Sequence, residues 1–397
     1  MVVYALINKE VIPYICQRKK VSLDYLQTNA KVDASKLSKW FCMDDPSVPT
    51  IPEAKRIAKC LHIPFAGLYM NVDDIPIKSI PAIKNFRTLD AGLMLDDSRL
   101  NIAIHDVLSE RDYLISALQE LERPIPTLSM PVCHGDNAKA WALEIRKHFG
   151  IDIREQYKLK SSRQLYLYLR DKIERCGIFV HCFTGVPVEV VRGFSIYEQQ
   201  LPMIGVNDSD RPPAKAFSLI HELVHLLKRE SSVCNIMYNA TAAQQEEVFC
   251  NAVAGELLVP NNALTIVLES EKYHKPYTLD DIRLIANRFS VSREVIIRRL
   301  LDTQRIDVVE YETYASEFRQ QLELEKEKQR EARAAGQDDI FRRMEYEIIN
   351  RTSTAVCKTL YFGYCEDIYT KRDIAQHLGV AQKHIDKFLM EVSKWNN

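Results

Sequence analysis

The sequence predicts an α+β fold: a mainly α-helical chain with a small group of strands near its middle. Three observations lead there. Apolar residues recur at helical spacing over most of the length. Three short β-like runs, 178–183, 190–196 and 202–206, stand together between helical segments. The 397 residues exceed one ordinary domain, so further helical units are expected on both sides of the mixed region.

The elements follow in order. Between residues 9 and 20, Val11, Ile12, Ile15 and Cys16 share one helical face. Ser22 suits the N-cap of a second helix bearing Leu23 and Leu26. Asp33 suits that of a third, 34–41, with Leu37, Trp40 and Phe41 turned inward. Pro52 opens a fourth helix holding Ile57, Ala58 and Leu61, and Pro64 opens a last short turn. Residues 72–90 read as loose, because Pro76 and Pro81 limit regular structure. Residues 100–121 are helical, and Pro124, Pro126, Pro131 and Gly135 then mark a boundary. Helices over 137–149 and 161–175, the second capped by Ser161 or Ser162, lead into the strands. Asp210 and Pro212 signal the next helix.

Past Pro260 the pattern is helical again. Residues 280–289 and 292–301 form a helical pair, and 314–335, dominated by Glu, Lys, Arg and Gln, read as a long solvated helix that Gly336 ends. Four regions result: 1–71, a helical linker 72–125, a mixed unit 126–302 and a helical C-terminal region 303–397.

Composition narrows the function. With 46% hydrophobic and 27% charged residues and a formal net charge of -1, the chain has an ordinary globular balance and no overall pull on nucleic acid or membrane. No run of 18 apolar residues and no basic leader with an apolar core occurs, so a cytoplasmic protein without membrane contact is expected. The ten cysteines form no CxxC pair, which fits free thiols in a reducing compartment; Cys176 and Cys182 are near enough in sequence to approach each other, but free, partly buried thiols are expected there too.

The chemistry centres on His221-Glu222-Leu223-Val224-His225. Four residues apart on a helix, His221 and His225 present two imidazoles to one ion. Glu222 then lies beside the open coordination position, where a general base takes a proton from water and returns it to the leaving amine. The flanking residues, Ala216 to Ile220 before the motif and Leu226-Leu227 after it, make the helix apolar, as a buried metal helix requires. Burying Glu222 in an incidental core helix with no partner would cost several kcal/mol. A third ligand must come from a later helix, 244–259, whose carboxylates are Glu246, Glu247 and Glu256.

Here the sequence resembles a known family. The pairing of FSLIHELVHLL (217–227) with EEVFCNAVAGELLVP (246–260) is similar to the ImmA/IrrE metallopeptidases, zincin-like proteins in which a glutamate on the next helix completes an H-E-x-x-H site. The resemblance places Glu247 and Asn251 on the family's glutamate and asparagine. It thereby implies that Glu247 is the third ligand, that Asn251 supports the ligands and that Zn2+ is the cofactor; Mn²⁺ or Fe²⁺ also suit two histidines and a carboxylate. Cys250, Val253 and Val224 depart from the pattern, at positions where Ala, Phe and often Gly are usual. The segments 191–196 and 202–207 resemble the sheet before the active helix, with a substrate strand expected along the sheet edge near 202–207. Residues 285–302 resemble the segment that follows the core. For an oxyanion-stabilising group, His181, Tyr238 and His274 are open, each with an ordinary core or surface role as its alternative.

Residues 9–70 resemble an XRE-type helix-turn-helix module. Helix 34–41 is then the recognition helix, with Ser35, Lys36 and Lys39 as candidate DNA contacts. Ten Lys/Arg against six Asp/Glu over residues 1–70 give a local positive excess. Residues 370–390 have a similar rhythm, with a C-terminal helical cap as the alternative. Together the resemblances imply a zinc-dependent endopeptidase that cleaves a repressor or antitoxin-like protein and binds double-stranded DNA through its N-terminal domain; a homodimer is the assembly considered alongside them. The rival reading is a DNA-binding transcriptional regulator whose metallopeptidase-like domain acts as a sensor or interaction module.

Overall fold

The computed structural model describes residues 2–75, 77, 84–85, 97–129, 133, 135–229, 232–234, 242–334 and 343–396. Gly336 and Tyr238 lie outside the described residues. The N-terminal unit comprises α1 (Val11–Lys19), α2 (Leu23–Ala30), α3 (Ala34–Phe41) and α4 (Ile51–Cys60), closed by a 3₁₀ turn at Phe65–Tyr69. Ser22 caps α2 by accepting from the Tyr25 backbone N–H. Asp33 occupies the N-cap of α3 but its side chain makes no capping bond. The start of α4 rests on more than Pro52: Thr50 and Glu53 form a reciprocal capping box, which satisfies two otherwise unpaired backbone donors. Val11, Ile12, Ile15, Leu26, Leu37, Ile57 and Leu61 fill this unit's own core.

After the two-residue strand β1 (Lys84–Asn85) comes α5 (Ser98–Glu120), capped by Asp97. It is buried on two sides. Ile102 joins the N-terminal core, while Leu100, Ile104, Val107, Leu114 and Leu118 join a second core beside the sheet. Then follow α6 (Ala138–His148), α7 (Ile153–Lys158) and α8 (Ser162–Glu174), the last capped by Ser161. Sequence patterning gives no sign of α7, whose six residues are too few for a helical period; Asp152 caps it.

The strands are β2 (Phe179–Phe183), β3 (Gly193–Ile196), β4 (Met203–Asn207) and β5 (Ser232–Cys234), with α9 (Pro212–Leu227) between β4 and β5. The sheet order is β1-β5-β3-β4-β2. β3 is antiparallel to both neighbours, β4 and β5, whereas β2–β4 and β1–β5 are parallel. This corrects the expected sheet edge near 202–207: β4 is interior, hydrogen-bonded to β2 on one side and β3 on the other, so its backbone is used up.

The period-2 alternation of the strands assigns their faces. Val180, Cys182, Ile204 and Val206 enter one core together with α9, α10 (Ala242–Leu258), α11 (Asn261–Ser270), α12 (Leu279–Phe289) and α13 (Arg293–Asp302). Phe179, Phe183, Phe194, Ile196 and Met203 enter the other, against α5 and the C-terminal helices α15 (Met344–Arg351), α16 (Thr354–Cys365), α17 (Lys371–His377) and α18 (Ile385–Ser393). The α17–α18 pair therefore buries Ile374, Phe388 and Val392 as part of this cap on the sheet. The charged helix α14 (Val308–Ala334) starts earlier than its composition suggests. Its first turns carry Tyr311, Tyr314, Ala315 and Phe318 onto the first core. Among the described residues no helix is long and apolar enough to cross a membrane, and Cys176 and Cys182 are both free.

One close approach fixes the sheet. Gly205 stands opposite Phe194 in the β3–β4 register, and a Cβ there would meet the Phe194 ring. Gly205→Ala is expected to destabilise the fold by about 1–3 kcal/mol through overpacking, read as a lower denaturation midpoint with an unchanged denaturant slope.

Candidate metal centre

Helix α9 begins with Pro212-Pro213 in its first turn and no side-chain cap. Asp210, expected as part of its start signal, instead pairs with Arg192 at 2.9 Å. From Ser218 to Leu226 every residue of α9 is buried, and the helix packs between α8, α10 and the sheet strands β3 and β4. Its polar residues His221, Glu222 and His225 therefore have only protein to face.

The structure brings His221, His225 and Glu247 together, one carboxylate and two imidazoles with their ligand atoms clustered. His221 Nε2 lies 3.1 Å from Glu247 Oε2, His225 Nε2 lies 3.1 Å from Glu247 Oε1, and the two Nε2 atoms are 3.2 Å apart. These separations suit a common ion: with metal–nitrogen bonds near 2.0–2.1 Å, the edge of a tetrahedron is about 3.3 Å. The outward nitrogen of His221 is held by Asn251, whose Oδ1 lies 3.0 Å from Nδ1. Donation from Nδ1–H to that oxygen leaves the Nε2 lone pair free for the ion. The outward nitrogen of His225 meets Cys250 Sγ at 3.9 Å.

The neighbouring carboxylates are engaged elsewhere. Glu246 Oε1 accepts from Lys228 Nζ at 2.7 Å. Glu256 pairs with the buried Arg299 and accepts from the Asn261 backbone N–H at 3.0 Å, joining α10 to α13 and to the start of α11. The three family departures, Val224, Cys250 and Val253, are all fully buried apolar positions in the core around the site.

Glu222 is held from the sheet. Ser232 Oγ on β5 donates to Glu222 Oε2 at 2.8 Å, and Ser195 Oγ on β3 lies 2.7 Å from Ser232 Oγ. Ser195 and Ser232 are register partners, so both hydroxyls rise from the same sheet face. Burial pushes the Glu222 carboxyl above its ordinary value, against the pull of His225, His221 and the Ser232 hydroxyl. Gly193 leaves room for this carboxylate: a Cβ there would lie 3.0 Å from Glu222 Cγ and 3.2 Å from Oε1. Sequence reasoning missed this trio. Ser195 had a visible signal, a polar residue inside an otherwise apolar strand, whereas nothing in the pattern marks Ser232 or Gly193.

Other expected sites lie apart. His181 stacks on Phe179 at 5.8 Å and belongs to the sheet face away from α9, and His274 is exposed. On α3, Ser35, Lys36 and Lys39 are all exposed, but Lys36 Nζ is engaged by Glu53 Oε1 at 2.7 Å.

Residues 173–301 match the IrrE N-terminal-like domain. The matched stretch holds β2 to β5, α9, α10 and both halves of the metal cluster, and it stops short of the N-terminal and C-terminal helices. It supports the ImmA/IrrE resemblance and makes this part of the chain metallopeptidase-like. No curated protein matches the chain.

The two adjacent glutamates separate cleanly by experiment. Glu247→Ala should lose bound metal, whereas Glu246→Ala, which removes the ion pair to Lys228, should keep it. Elemental analysis of both proteins after dialysis gives the answer.

Proposed function

We propose that the protein is a zinc-dependent endopeptidase of regulatory substrates. The observation that carries this reading is the convergence of His221, His225 and Glu247 in one cluster, with Glu222 fixed beside His221 on the same buried helix. Zinc in such a site supplies Lewis acidity, polarising a scissile carbonyl and acidifying water. The residues of the chain do the rest. His221, oriented by Asn251, and His225 would hold the ion with Glu247. Glu222 has one oxygen fixed by Ser232 and is left with Oε1 to accept the proton of the attacking water and deliver it to the departing amine. The serine pair keeps the carboxylate from rotating away between these two transfers.

The substrate class is a repressor or an antitoxin-like protein, on the strength of the resemblance to ImmA/IrrE peptidases. With β4 and β5 both paired on two sides, an extended substrate that adds a strand has to do so at an edge of the sheet, β1 or β2. DNA binding by the N-terminal unit belongs to the same proposal. It rests on exposed Ser35 and Lys39, since Glu53 already takes up Lys36.

Two outcomes are expected. Glu222→Gln should retain one metal per chain and lose cleavage of a co-expressed repressor by about 10²-fold or more, the loss of a general base. Metal-free protein that still cleaves would defeat the reading. Full-length protein should shift double-stranded DNA at low salt and release it as salt rises, with Lys39→Glu weakening binding evenly across sequences. An absence of any shift at low salt would leave the N-terminal helices a protein-contact unit.

A further inference from the structure

Helices α9 and α10 carry more than the ligands on the faces they turn to the metal cluster. Ala214 and Phe217 precede His221 by seven and four residues on α9, and Asn251 and Gly255 follow Glu247 by four and eight on α10. Those spacings set each residue on the stripe of its ligand, one to two turns or roughly 6–12 Å along the helix. A cavity of about 110 Å³ opens between the two stripes, and α13 closes it through Val295. Contacts tie this cavity to the reacting groups. The Phe217 ring lies against His221, with centroids 6.5 Å apart, and Asn251 Oδ1 holds His221 Nδ1 at 3.0 Å. Arg192, also in the wall, directly precedes Gly193, the glycine that leaves room for Glu222.

The charges in the wall are already balanced. Arg192 pairs with Asp210 at 2.9 Å, and Arg298 pairs with Asp302 at 3.0 Å. Ser292 caps α13 by accepting from the Val295 backbone N–H. Glu294 is exposed and keeps its carboxylate in water. None of these groups asks for a charged guest. What remains is Pro213, Ala214, Phe217 and Val295, an apolar lining whose α9 members are only half-buried. An apolar cavity of roughly 150 Å³ takes a benzene ring, so this smaller one suits an aliphatic group of about four carbons.

We propose that this cavity is a substrate pocket that selects a leucine-sized aliphatic side chain beside the scissile bond. The inference rests on the peptidase reading and adds a specificity to it. A peptide held with its scissile carbonyl at the cluster has the side chain of an adjoining residue within about a helical turn of the ion, where Ala214, Phe217 and Val295 stand. Burying that side chain fixes the register of the peptide against Glu222, so the aliphatic residue decides which bond is cut. Ala214 and Val295 determine the specificity, because their small side chains leave the room that the guest fills.

Succinyl hydroxamates are the probes, since the head group chelates the ion while a substituent on the second carbon reaches for the pocket. Four are titrated calorimetrically into full-length protein, zinc-loaded and zinc-stripped: the unsubstituted compound and its isobutyl, aminobutyl and carboxyethyl derivatives. The isobutyl compound is expected to bind the zinc-loaded protein about tenfold or more tighter than the other three. Ala214→Phe fills the cavity and should bring the isobutyl compound level with the unsubstituted one, with thermal unfolding as the check on fold. Val295→Leu narrows the cavity from α13 and should cut the isobutyl advantage even if the first variant fails to fold. Equal binding of all four to the zinc-loaded protein would overturn the pocket and leave the metal site standing, whereas no zinc-dependent binding of any would overturn both. An aminobutyl or carboxyethyl compound that binds tightest, or an isobutyl advantage unchanged in both variants, would overturn the aliphatic assignment.

Discussion

Two imidazole nitrogens and a carboxylate, with their lone-pair atoms 3.1–3.2 Å apart and sealed between α9, α10 and the sheet, repel one another unless a cation or shared protons sit among them. The local architecture answers that constraint. Helix α9 is apolar on nearly every side so that it can be buried, and α10 must cross it so that Glu247 arrives one turn before Asn251. Arg299 neutralises Glu256, and Lys228 draws Glu246 outward, leaving one glutamate of three for the ion.

Much of this is legible in the sequence, for a physical reason. Helical spacing is a local property, so the spacing of four from His221 to His225 already places both on one face. The register of Glu247 against its neighbours is not local; it came from the family resemblance, and the ion pairs of Glu246 and Glu256 show why the adjacent carboxylates are unavailable. The Ser195–Ser232–Glu222 chain could not be read, because strand register over a gap of 37 residues leaves no trace in either segment alone. The same blindness produced the misplaced sheet edge. The run at 202–206 has the alternation of any strand, and only pairing to β2 and β3 makes it interior.

The long-range organisation was harder still. Helix α5 reads as a connecting helix, since its apolar residues are spread around its circumference rather than along one stripe. In the structure that spread has a cause: Ile102 faces the N-terminal core while Leu100, Ile104 and Val107 face the layer on the sheet. A helix serving two cores loses the amphipathic signature by which helices are recognised. Likewise the charged run of α14 hides the aromatic residues by which its first turns dock.

The two-sided burial of α5 bears on how such a protein can be assembled from parts. A segment cut at the sequence boundary near 126 would carry the whole metal cluster, yet it would leave Phe179, Phe183, Phe194 and Met203 without α5 and the C-terminal helices that cover them. The stretch that holds the His221, His225 and Glu247 cluster is therefore contiguous in sequence but not self-sufficient in solvent. Its hydrophobic underside is upholstered by chain from before and after it. Recombination that swaps either flank has to bring a replacement lining for that face.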